Sequence, residues 1–212
     1  MSTKTHGKYA GVIKKKIDNS DIEGKKVIRD WCLEQMGGAA NCTVLELYGG
    51  QGKIYDACYA NPPVKKHMAF EIKKGVGADR PTWVHGDNKV LLPKYVQGWD
   101  LYDLDAYTEP WQLALVIAHL RKPGRFALAL TCGVYRPMHG GALVGYLRQA
   151  SGYNGLPQNG LLCRFYEDVI QACFNDWGRF GVTVEEAKRV HSISTFNVKY
   201  YGVIVNKAEN HG

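Results

Sequence analysis

At 212 residues and a formal net charge of +7, the chain is sized for one domain with a substantial core and is biased toward acidic partners. No apolar run reaches the roughly eighteen residues that a membrane span needs, and no signal-type stretch opens the sequence, so a cytoplasmic protein away from membranes is expected. Six cysteines form no C-x-x-C pair and no His/Cys metal spacing, which leaves a disulfide framework and a metal centre unsupported and favours reduced, buried thiols.

Residues 1–20 carry Lys4, Lys8, Lys14, Lys15 and Lys16 without an amphipathic period, and read as a disordered basic arm. A domain spanning 21–206 follows, with 207–212 as a tail. Its first helix is expected over 22–36, and 37–41 (G-G-A-A-N) forms a loop. Residues 44–52 (V-L-E-L-Y-G-G-Q-G) read as a buried strand with Glu46 near its carboxyl end. The strand runs into a turn where Gly49, Gly50 and Gly52 allow a sharp bend and close approach to a ligand. Residues 53–60 continue as a helix. A second strand at 66–72 ends in Glu71, and a short third at 82–85 meets Gly86, Asp87 and Asn88. The fourth, 99–104, leads into D-L-D-A-Y-T-E-P at 103–110, and the apolar fifth, 125–130, ends at Thr131, Cys132 and Gly133.

Strands alternating with helical stretches, with polar residues gathered at their carboxyl ends, describe an α/β, doubly wound sheet that binds a ligand at its switch point. Residues 134–160 form one long irregular stretch, helix-competent over 142–149. Tyr135, Arg136, His139, Tyr146, Arg148 and Tyr153 there supply stacking faces and phosphate contacts for a lid or recognition loop. A connection without substrate contact is the equal alternative. Helix 161–177 turns Leu162, Phe165, Tyr166, Val169, Ile170 and Cys173 toward the core. Two β-runs, 182–195 and 198–206, close the chain.

This succession resembles the class I S-adenosylmethionine-dependent methyltransferases over roughly residues 25–206. E-L-Y-G-G-Q-G is similar to the family's first motif, with Tyr48 and Gln51 varying it. The resemblance implies a mostly parallel seven-stranded sheet closed by a C-terminal antiparallel hairpin, and S-adenosyl-L-methionine as cofactor. It implies a cofactor site made by Glu46, Tyr48, Gly49, Gly50 and Gly52, by Glu71 and Ile72 at the ribose, and by Gly86, Asp87 and Asn88 at the adenine. Asp103 falls on the fourth motif, beside the reactive methyl. The family's amino methyltransferases often carry D/N-P-P-Y there. D-x-D-x-x-x-x-P is closer to the D-x-D-P-x-G-S-P loop of tRNA (guanine-N2) methyltransferases, with Ala106 for the proline and Thr108-Glu109 for Gly-Ser.

Methyl transfer needs alignment and a place for the acceptor's proton. Asp103 is the expected orienting acid, Asp105 shares its face, Tyr107 stacks on a base and Pro110 stiffens the loop. Helix capping is the competing reading for Asp103, Asp105 and Glu109. Cys132 reads as a buried thiol, and His85 and His119 as core histidines. No phosphate-loop lysine or nucleophile elbow is present. The basic residues of the first thirty positions, including Lys25, Lys26 and Arg29, with Lys65, Lys66, Lys73, Lys74, Arg121, Lys122, Arg125 and Arg136, point to nucleic acid (RNA or DNA) as partner. A solvated basic face is the plainer alternative. An exocyclic base nitrogen, in RNA ahead of DNA, is the expected acceptor. A non-catalytic binding protein of the same fold and an aminopropyltransferase-like enzyme are the rival functions.

Overall fold

Apolar side chains on both sides of a strand require cover on both sides of the sheet, and the chain supplies it with helices. The computed structural model describes residues 21–106, 110–133, 145–152, 161–192 and 198–209. The basic arm, Tyr107, Glu109 and most of the 134–160 stretch lie outside these, as do the side chains of 161–166, among them Leu162, Cys163, Phe165 and Tyr166. Strands β1 (Thr43–Glu46), β2 (Lys66–Glu71), β3 (Trp83–His85), β4 (Leu101–Leu104) and β5 (Gly124–Gly133) are parallel. They are joined by an antiparallel pair, β6 (Val182–His191) and β7 (Val198–Lys207), in the order β3-β2-β1-β4-β5-β7-β6. The expected seven-stranded sheet with a C-terminal hairpin is the observed one. Winding reverses between β1 and β4, where two neighbouring strand tips leave a crevice.

Helices α1 (Ile22–Gln35), α2 (Asn88–Tyr95), α3 (Trp111–Leu120), α4 (Gly145–Ser151) and α5 (Leu161–Trp177) cover the faces. Leu45, Leu47, Tyr102, Leu104, Leu128 and Leu130 point to the side of α2, α3 and α5, where Trp111, Ile117, Ile170 and Trp177 meet them. Val44, Leu101, Ala127, Ala129 and Ile204 point the other way, under Ile28, Trp31 and Cys32 of α1. Strand alternation by twos thus divides the core into two layers.

Several boundaries differ from expectation for local reasons. The helix expected at 53–60 becomes a π-helical turn over Tyr55–Tyr59. β4 starts late because the Trp99 indole donates to the Tyr95 carbonyl at 2.6 Å, tying Trp99 to α2. β5 runs on through Thr131, Cys132 and Gly133 because β7 pairs along its whole length. His85 and His119, expected inside, are exposed, and His119 stacks on Phe180 at 4.9 Å. Cys132 is buried as expected, alongside Cys32, Cys42, Cys58 and Cys173, none of which forms a disulfide among the described residues. Among the described residues, no helix is long and apolar enough to cross a membrane.

Candidate functional site

The glycine turn after β1 owes its shape to what packs behind it. Gly50 and Gly52 have φ of +50° and +82°, a left-handed backbone that favours glycine. Gly49 is constrained by space: a Cβ there would lie 2.6 Å from Trp83 Nε1 and 2.8 Å from Ala69 Cβ. The Trp83 indole also donates to the Gly50 carbonyl at 3.3 Å, while the Gly50 N–H donates to Glu71 Oε2 at 2.9 Å. Glu71 Oε1 accepts from the Lys73 N–H at 2.7 Å, which leaves each carboxylate oxygen a lone pair toward solvent.

In front of that turn opens a cleft of about 670 Å³ at the carboxyl ends of β1, β2 and β3. The structure brings Tyr48, Glu71, Ile72, Asp87 and Asn88 together on its walls. Gly49, Gly50, Gly52 and Gly86 shape its back without lining it. Asn88 is fixed by donating its amide to the Leu47 carbonyl, and Asp87 caps α2 by accepting from the Lys89 N–H at 2.8 Å. Leu92 of α2 and Leu113 and Val116 of α3 give the cleft an apolar side. Ile72 is 65% exposed at its lip, an apolar surface placed where a flat ring would cover it. The size, the apolar wall and the carboxylate lone pairs fit a nucleoside.

Glu46, Asp103 and Asp105 are not among the residues of that cleft. Glu46 shares the face of Val44 on β1, and Asp103 the face of Leu101 on β4; the two acids are register partners turned toward α1. Arg29 descends from α1 with its Nε 2.8 Å from Asp103 Oδ2 and a terminal nitrogen 2.6 Å from Oδ1. The Tyr59 hydroxyl adds a third bond to Asp103 at 2.6 Å. Both Glu46 and Asp103 are 0% exposed. The expectations that Asp103 orients an acceptor and contacts the cofactor are therefore corrected: its oxygens are sealed and taken by Arg29 and Tyr59. Capping is excluded too, since Pro110 holds the N-cap position of α3.

Asp105 sits nearer the surface. Its Oδ2 accepts from Lys25 Nζ at 2.6 Å, and its Oδ1, itself buried, makes no close hydrogen bond among the described residues, with Arg29 3.7 Å away. Burial opposes its ionisation, but Arg29 and Lys25 outweigh that and hold its carboxyl below the usual range. Glu46 is driven the other way: burial, then repulsion from Asp103 and Asp105, pushes its carboxyl well above the usual range. Its Oε2 lies 3.2 Å from His67 Nε2, and Oε1 has no hydrogen-bond partner among the described residues. Burial lowers His67 to about 4, which favours a neutral imidazole, and burial favours the protonated form of Glu46 as well. No cofactor contact of Glu46 follows from this geometry.

Sequence reasoning missed Lys25, Arg29, Tyr59, His67 and Trp83. Lys25 and Arg29 were counted as basic surface, yet both are buried. A signal existed: they share one helical stripe with Ile28 and Cys32, the buried face of α1.

No family model matches the chain, and no curated protein is similar to it in sequence. Solved structures are. TYW2 of M. jannaschii in complex with AdoMet has a TM-score of 0.57 at 10% identity, over 92% of this chain and 80% of that one. A putative hemolysin from Streptococcus thermophilus gives 0.55 at 10%, over 88% and 66%. Magnesium protoporphyrin IX methyltransferase (ChlM) from Synechocystis PCC 6803 with bound SAH gives 0.52 at 14%, over 88% and 82%. At such identities the shared property is the fold.

Proposed function

We propose that this chain, which has the Rossmann-like methyltransferase fold, is an S-adenosylmethionine-dependent methyltransferase acting on nucleic acid at an exocyclic base nitrogen, RNA ahead of DNA. The observation that carries the proposal is the convergence of Tyr48, Glu71, Ile72, Asp87 and Asn88 on one nucleoside-sized cleft at the carboxyl ends of β1, β2 and β3. Glu71 takes the ribose hydroxyls on its free lone pairs, Ile72 covers the adenine face, and Asp87 and Asn88 meet its edge. Bound there, S-adenosylmethionine supplies a methyl on a sulfonium for in-line displacement.

The protein's task is then to align an acceptor amine and receive its hydrogen bond. Asp103 is sealed, and the unpaired Oδ1 of Asp105 is buried too and outside the cleft, so neither carboxylate takes that role; Tyr107, two residues on in sequence, is the acceptor contact this reading keeps. Lys73 and Lys74 after β2 and Lys89 at the start of α2 are exposed beside the cleft and suit a phosphate backbone there.

Calorimetric titration with S-adenosylmethionine and S-adenosylhomocysteine tests the cofactor reading. Micromolar binding that weakens at least about tenfold in Glu71→Ala, equivalent to 1.4 kcal/mol, is the expected result. A folded wild-type protein that binds neither compound overturns it. Transfer of labelled methyl onto tRNA, rRNA or duplex DNA then separates the acceptors.

A further inference from the structure

One wall of the cleft comes from outside the motifs that make the rest. Tyr146, on α4, lines it together with Leu113 and Val116 of α3. Its hydroxyl is turned away from the cleft: it donates to Asp176 Oδ2 at 2.9 Å and lies 3.5 Å from the Cys173 carbonyl, both on α5. The side chain is buried and belongs to the same core layer as Trp111, Trp177 and Leu113. Tyr146 therefore borders open space on one side and is tied to the rigid body of the domain on the other.

We propose that Tyr146 is a binding residue for the nucleoside half of the cofactor and that Asp176 is its positioning residue, so that the docking of α4 on α5 sets how long the ligand stays. This rests on the cofactor reading above. The ring supplies a wall against which a purine or ribose packs, and the hydroxyl fixes that wall by its bond to α5. Loss of the bond alone leaves the wall in place but loosely held, which raises the rate of escape more than it slows entry.

The test is the release of S-adenosylhomocysteine from the full-length protein, followed by tryptophan fluorescence after a chase with excess S-adenosylmethionine. Tyr146→Phe and Asp176→Ala should each release it roughly three- to tenfold faster, the range of one hydrogen bond. The double variant should be no faster than Asp176→Ala alone, which removes the tie to Tyr146 and also the 3.2 Å ion pair with Arg179. Wild-type release rates in both variants, with binding intact in the wild type, would overturn the assignment while leaving the cofactor reading standing. A lowered urea midpoint with unchanged release would also overturn it, by making the tyrosine structural. No binding by the wild type would overturn both.

Discussion

Arg29 is the side chain on which the buried charges depend. It is 0% exposed, and it faces Asp103 from 74 residues away in sequence, with Asp105 behind. Arg29→Met leaves those carboxylates without their fork of donors, and should cost roughly 3–5 kcal/mol, read as a lower urea midpoint. Adding Asp103→Leu should restore much of the loss, since a pair of apolar groups tolerates burial better than a lone charge. Equal midpoints for the single and double variants would contradict this. Glu46 and His67 oppose each other in pH. A neutral His67, ordinarily titrating at 6.5 and here near 4, contributes stability that is complete above pH 6.5 and lost as pH falls toward 4. Glu46, raised, contributes stability that is present at low pH and lost as pH rises through its folded value. In the isosteric Glu46→Gln variant only the histidine remains, so its midpoint should fall between pH 6.5 and 4 more steeply than the wild type's, by up to about 3 kcal/mol. Parallel curves would refute the pairing. The buried stripe of α1 was legible in sequence, but its partners were not, because a distant strand supplies them.

Elements were more legible than contacts. The helix expected at 161–177 is α5 to the residue, and the closing hairpin is present, because long periodic segments declare themselves without help. The glycine turn and the acids at the tips of β2 and β3 could also be read, since their positions follow from strand ends alone. What failed was parity: Glu46 and Asp103 stand at strand positions that face α1, and a motif pattern does not say which face a given strand turns to which helix. The turn itself gives a test at this scale. Gly49→Ala forces a methyl into the Trp83 indole and the Ala69 side chain, and should cost about 1–3 kcal/mol while weakening cofactor binding. Trp83→Phe in the same chain should recover part of both losses, measured by urea unfolding and calorimetry, because the clash is with the indole nitrogen edge. No recovery would place the strain elsewhere.

Across the whole molecule, the formal charge of +7 misplaces the cations: Lys25 and Arg29 are spent inside, and among the described residues exposed lysines gather around β2 and α2. The sheet is also uneven. β5 and β7 are matched from Gly124↔Lys207 to Gly133↔Val198, whereas β3 has only Trp83, Val84 and His85 against β2, and among the described residues no strand beyond it. The cleft is built on the thin side. Amide protons of residues 83–85 should therefore exchange by local opening long before those of β5 and β7, which wait for global unfolding. A ligand that joins Glu71 to Asp87 stitches the tips of β2 and β3 together, so saturating S-adenosylhomocysteine should slow exchange at 83–85 and leave the β5–β7 amides as they were. Occupancy would then be written in the fraying of one edge, and a chain short of cofactor would be nicked by proteases there first.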